Sequence, residues 1–141
     1  MPGFEWINKL EEQAVKKVFL EGGVLMAHGF DKIRKNFYVR SFESKAKKYF
    51  GSKNCLAVTS GTAAIKIALK ALNVKPGDEV ITQSFNFIAT IEAILDCGAK
   101  PVIANIDETL NLDVKELKKL INKKTKAIIP VHMLGASCNM R

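Results

Sequence analysis

The apolar positions of the chain fall into alternating helical and strand-like runs. Over residues 5–20, Trp6, Ile7, Leu10, Ala14, Val15, Val18 and Phe19 recur at helical spacing, and Gly22 and Gly23 mark the stop. Residues 24–40 mix glycine, aromatics and charges without period, which predicts a long ordered loop of the kind used in function or at interfaces. Ser41 is placed to cap a helix whose apolar residues Phe42, Ala46, Tyr49 and Phe50 end at Gly51. The short apolar run Cys55, Leu56, Ala57, Val58 predicts a strand. It passes through Thr59, Ser60, Gly61 and Thr62 into a helix carrying Ala64, Ile65, Ala68, Leu69 and Leu72.

Beyond the turn Pro76-Gly77-Asp78, a second strand is expected over 79–82 and a helix over 88–96 closed by Gly98. A third strand follows over 101–104. The polar connector IDETLNLD then ends in Asp113, which with Glu116 predicts a near capping box for a helix over 114–121. The run KAIIPV is the fourth strand, with Pro130 suited to its end. Strands alternating with helices predict parallel pairing, right-handed crossovers and helices on both faces of the sheet, a doubly wound α/β fold. A strand at the end of the sequence with no helix after it leaves sheet surface bare, so a truncated protein ending at Arg141 is the expectation.

Chemistry enters at the turn inside NCLAVTSGTAAIKIALKAL. The first amides of a helix have no intrahelical acceptor, glycine permits close approach, and the hydroxyls of Ser60 and Thr62 can donate to an anion, so the turn is a candidate phosphate cup. The plainer reading is that Ser60 or Thr62 only caps the helix. Neither GxxxxGK[ST] nor GxGxxG is present, which removes the nucleotide P-loop and the dinucleotide fingerprint. Ser84, Phe85, Asn86 and Phe87 lie at a strand's C-terminal end, where ligands of open α/β sheets collect.

Composition narrows the classes. The chain has 141 residues, 48% of them hydrophobic, enough for an α/β domain with a core. No apolar run approaches the roughly 20 residues of a membrane span, and MPGFEWINKLEEQ resembles neither a signal nor a transit peptide, so a cytoplasmic protein is expected. Cys55, Cys97 and Cys138 lack metal-site spacing and read as free thiols, and no metal site is expected. The formal charge of +8 invites a nucleic-acid reading. Of 22 basic residues, however, only Arg34, Arg40 and Arg141 are arginines, the lysines lie along helices, and no nucleic-acid-binding motif appears. Solvated helix faces account for the charge. His28 alone, without a partner, reads as structural.

The segments AVTSGTAAIKIALKAL, KPGDEVITQSFNFIATIEAIL, CGAKPVIANID, TLNLD and KTKAIIPVHMLG, in that order and spacing, resemble the N-terminal part of a DegT/DnrJ/EryC1/StrS sugar aminotransferase across residues 41–139. The resemblance implies the large domain of the aspartate aminotransferase-like, type I fold of pyridoxal-phosphate-dependent transferases. It makes residues 1–40 a helix and a substrate and dimer loop, and residues 41–141 an incomplete cofactor-binding α/β domain. By the same resemblance, Ser60, Gly61 and Thr62 hold the phosphate of pyridoxal 5'-phosphate and Phe87 stacks on its ring. His132, in the family's Pro-Val-His segment, is a further candidate, while Tyr38, Arg40 and His28 fall by region near a neighbouring active site.

Transamination needs a Schiff-base lysine and an acidic partner for the pyridine nitrogen. The resemblance puts both beyond Arg141, so no catalytic residue is assigned; Lys66 and Lys70 belong to a helix's polar side, and the lysine of Ser41-Phe42-Glu43-Ser44-Lys45 is wrongly spaced. The implied parent moves an amino group from an amino acid, commonly glutamate, to a keto sugar, nucleotide-linked or a sugar acid, in polysaccharide or lipopolysaccharide sugar biosynthesis. EVITQSFNF, IDETLNLD and PVHMLG look closest to members aminating an eight-carbon keto-deoxy sugar acid, the 8-amino-3,8-dideoxy-octulosonate subgroup. A homodimer with each site at the subunit boundary is implied. The alternatives are a catalytically inactive or regulatory relative and an unrelated phosphate-binding α/β module.

Overall fold

The computed structural model describes residues 3–34 and 36–140; Lys35 of the expected long loop and Arg141, the expected truncation point, lie outside them. The chain forms two compact units, residues 1–57 and 58–141.

In the first unit a single 3-10 turn, Phe4–Trp6, precedes α1, Lys9–Leu20. Asn8 accepts from the Leu10 amide at 2.9 Å, and the Glu11 carboxylate accepts from the Asn8 amide at 2.9 Å. This reciprocal capping starts the helix later than its apolar stripe suggested. The loop is ordered by Arg34, which is buried and donates to the carbonyls of Met26 and Ala27 at 2.5 and 2.8 Å while stacking over the Phe37 ring. The next helix, α2, runs Tyr38–Phe50, so Ser41 is not its cap. The Ser41 amide already donates to the Phe37 carbonyl, and no glycine or proline keeps Tyr38, Val39 and Arg40 out of the first turn. Gly51 closes it in the left-handed conformation, as expected.

The second unit holds α3 (Gly61–Ala71), β1 (Glu79–Gln83), α4 (Ile88–Leu95), β2 (Lys100–Ala104), α5 (Val114–Leu120) and β3 (Thr125–Ile129). The described sheet is three-stranded and parallel, in the order β2-β1-β3. The run Cys55–Val58 is not a strand. It pairs with neither edge of this sheet, and apolar, β-prone residues form a strand only where a neighbour accepts their ladder. The capping box at α5 is also half made. Asp113 accepts from the Lys115 amide, but its own amide donates to the Asn105 carbonyl and Glu116 turns to Lys119 instead.

Alternation along β1 builds two cores. Val80 joins Leu69, Val74, Ile94, Cys97 and Ala99 on the face covered by α3 and α4. Ile81 joins Ala104 and Leu112 on the opposite face, with Leu117 and Leu120 of α5 against it. The central strand is therefore buried on both sides, as a parallel strand must be. Cys97 and Cys138 are buried free thiols and Cys55 is a half-buried one. Among the described residues, no helix is long and apolar enough to cross a membrane.

Gly98, which closes α4, carries a conformational demand. Its φ is +75°, and a Cβ there would sit 2.7 Å from Cγ of Pro76. Gly98→Ala combines left-handed strain with a clash against a ring that cannot swing away. A loss of about 2 kcal/mol is expected in urea unfolding. A midpoint equal to that of the unmodified chain would show that the Pro76 turn yields freely.

Candidate functional site

The strand order decides where a ligand sits. From β1 the chain crosses through α4 to β2 on one side, then returns through α5 over the other face to β3. The connections diverge between β1 and β3, and a crevice opens beyond the carboxyl ends of those neighbouring strands. There the structure has a pocket of about 580 Å³. Its walls are Gly61, Thr62 and Ile65 of α3, Asn86, Phe87, Ala89 and Thr90 after β1, and Ile129, Pro130, Val131 and His132 at the end of β3.

At the α3 wall the helix cap and the open amides of the serine-glycine-threonine turn fall on different residues. Ser60 is the N-cap: its Oγ accepts from the Ala63 amide at 3.1 Å, and its carbonyl accepts from Ala64 at 3.0 Å. Ser60 is not among the residues lining the pocket. The amides of Gly61 and Thr62 have no acceptor among the described residues, and both residues line it. A Cβ built on Gly61 would meet nothing within 4 Å, so the protein's own packing does not demand glycine there. Two free amides at the positive end of a helix, beside open space and a threonine hydroxyl, suit a phosphate.

Phe87 forms the facing wall and is 76% exposed, with no aromatic partner among the described residues. An aromatic in that position has a face to offer a planar ligand. His132 completes the β3 wall. Its Nδ1 accepts from the Cys138 amide at 3.0 Å, so in the neutral ring Nε2 carries the proton, and Nε2 has no protein partner among the described residues. Gly61, Thr62, Phe87 and His132 thus share one pocket.

The remaining candidates are engaged elsewhere. In the first unit the Tyr38 hydroxyl donates to Glu21 at 3.0 Å, Arg40 pairs with Asp31 at 3.0 Å, and His28 lies 4.0 Å from Glu43. The Asn36 amide, with help from Tyr38 and Lys17, holds the Glu21 carboxyl below the usual carboxylate range. Lys66 bonds Asp96 at 2.6 Å, and that contact raises its ammonium above the usual lysine range, the opposite of a nucleophile's requirement.

Asn86, expected at the ligand end of its strand, is part of the wall, as is Thr90. Several residues that support the pocket escaped the sequence reading. Thr82 is bonded to Asn86 beneath the wall. Gln83, fully buried, accepts from the Val131 amide and donates to the carbonyls of Phe85 and Leu110. Asn111, also buried, accepts from the Met133 amide. The available signal was polar residues inside otherwise apolar runs, which a buried strand tolerates only when they are bonded.

Residues 20–141 match the DegT/DnrJ/EryC1/StrS aminotransferase family. The spore coat polysaccharide biosynthesis protein SpsC of Bacillus subtilis is 47% identical over 103 residues, 72% of this chain and 26% of that protein. The UDP-2-acetamido-2-deoxy-3-oxo-D-glucuronate aminotransferase of Pseudomonas aeruginosa is 39% identical over 134 residues, 93% of this chain and 37% of that protein. Among solved structures, ntda of Bacillus subtilis with bound cofactor PMP superposes with a TM-score of 0.82 at 31% identity, covering 95% of this chain and 30% of that one. The chain therefore spans between 26% and 37% of the length of these proteins.

Proposed function

The chain belongs to the DegT/DnrJ/EryC1/StrS aminotransferase family and has the α/β fold of its aminotransferase neighbours, and from that premise we propose that it is the N-terminal part of a pyridoxal-phosphate-dependent sugar aminotransferase. The parent moves an amino group from an amino acid, glutamate by resemblance, to a keto sugar. Relatives named for polysaccharide biosynthesis and for a 3-oxo sugar support that substrate class. The eight-carbon sugar acid stays the subgroup favoured by the chain's own motifs. A cytoplasmic homodimer is the proposed working form.

One observation carries the reading: Gly61 and Thr62 with their unpaired amides, the exposed Phe87, and His132 with its Nε2 unpartnered among the described residues line a single pocket at the strand-order switch. The residues fit the cofactor. Gly61 and Thr62 would take its phosphate through their amides, with the Thr62 hydroxyl adding a third donor. The Ser60 hydroxyl, already accepting from Ala63, keeps its proton free to give. Phe87 would lie on the flat ring, and His132 would donate to an acceptor on the ring or on the substrate. When bound, pyridoxal phosphate supplies the electron sink that lets an amino group leave one carbon and join another.

Pyridoxamine 5'-phosphate tests this without aldehyde chemistry at the surface lysines. Calorimetric titration of the chain is expected to give binding about 100-fold tighter than for pyridoxamine, since charge-assisted bonds to a helix end contribute roughly 1.5–3 kcal/mol each. Equal affinity for the two compounds would remove the phosphate cup from the proposal.

A further inference from the structure

We infer that Asn86 is the positioning residue that holds Phe87 as a platform, an assignment that rests on the cofactor reading above. Phe87 occupies the N-cap of α4, where serine, threonine, asparagine or aspartate is favoured, and it makes no side-chain cap bond. It is also 76% exposed, so neither packing nor capping fixes it. Its own polar tether is at the backbone, where its carbonyl accepts from the Thr90 amide at 3.1 Å.

The residue before it supplies what Phe87 lacks. Asn86 Nδ2 donates to Thr82 Oγ1 at 3.0 Å, and Asn86 Oδ1 accepts from the Thr90 hydroxyl at 2.9 Å. The Thr82 hydroxyl passes the chain on, donating to the Ile129 carbonyl at 2.9 Å. Thr82 and Thr90 are buried, at 0% and 4% exposure, so these bonds are not competed away by water. The roles are complementary: the amide oxygen only accepts, the amide nitrogen only donates, and the Thr82 oxygen does both.

The relay therefore joins three elements at the pocket mouth. Thr82 lies in β1, Thr90 in α4, and Ile129 ends β3, the strand whose next residues, Pro130, Val131 and His132, form the opposite wall. Phe87 sits on the arc between the two threonines that Asn86 ties together. Fixing that arc fixes the gap between the aromatic face and the β3 wall. The phosphate-facing amides belong to α3, which the relay does not touch.

That separation gives the test. Asn86→Ala is expected to weaken pyridoxamine 5'-phosphate about tenfold while inorganic phosphate, titrated on the same chain, changes less than twofold. In a Phe87→Ala background, adding Asn86→Ala is expected to cost nothing further, because the platform it positions is gone. Thr90→Val, which removes one arm and nearly keeps the shape, should give a loss of about threefold with the same selectivity, and it stands in if Asn86→Ala does not fold. Equal losses for both ligands, or an undiminished Asn86 effect without Phe87, would make Asn86 a purely structural residue and overturn the inference alone. Failure of the unmodified chain to bind pyridoxamine 5'-phosphate overturns the cofactor reading, and this inference with it.

Discussion

Gly61→Asp is expected to weaken pyridoxamine 5'-phosphate binding by about 100-fold or more and to leave α3 formed. The substitution separates the two things a helix N-terminus does. Aspartate in the first turn favours a helix through its charge and propensity, contributing about 0.3–1 kcal/mol against the macrodipole. A Cβ at this position meets nothing within 4 Å, and the residue needs no left-handed backbone, so the fold has no reason to object. Ser60 keeps its bond to Ala63 and goes on capping. The phosphate, by contrast, meets a carboxylate beside the two free amides. Two charges on the phosphate against one on the aspartate at about 5 Å cost roughly 3 kcal/mol at an intermediate dielectric, the origin of the 100-fold figure. Circular dichroism should show helix content unchanged or slightly raised, and titration should show the affinity gone. If the ligand binds Gly61→Asp as it binds the unmodified chain, the turn is a cap and no more.

Why some of this was legible in the sequence and some not follows from the range of the interactions involved. The helices after Ser60, Phe87 and Asp113, and the strand after Asp78, depend on neighbours within a few residues, and spacing reveals them. Phe87 could be singled out from its neighbours at the strand end, and His132 named, only through family resemblance, because nothing local distinguishes an exposed phenylalanine that faces a pocket from one in a core. Cys55–Val58 reads as a strand by composition, yet a strand exists only with a partner, and pairing is not a local property. Ser41 failed as a cap because any serine before an amphipathic run looks like one. The Phe37 carbonyl had already opened the helix. Gln83 and Asn111 were passed over because their bonds reach as far as Val131 and Met133, positions that no periodicity links.

Gln83 is the residue whose loss should cost the second unit most. It sits at the end of β1 with no exposed surface, and its amide serves three backbone groups: the Val131 N–H at 3.0 Å and the carbonyls of Phe85 and Leu110, each at 3.1 Å. Gln83→Leu keeps the volume and the apolar contacts but strands all three in a place water cannot enter. An unsatisfied buried polar group costs about 1–3 kcal/mol, and allowing for partial relaxation the substitution is expected to destabilise by about 4 kcal/mol. Domains of this size have roughly 5–15 kcal/mol in total, so the urea midpoint should fall steeply while the slope stays constant. Ile81→Val, two positions earlier on the same strand and equally buried, provides the scale: removing a methylene there is expected to cost only about 1 kcal/mol. The order matters because hydrophobicity alone ranks the two the other way, with leucine improving the strand and valine weakening it. A Gln83→Leu chain as stable as the unmodified one would mean that the residues after β3 find other partners. In that case Gln83 would not anchor the wall carrying His132, and its distance from Phe87 would be set by the β1–β3 pairing and the Thr82 bond to Ile129.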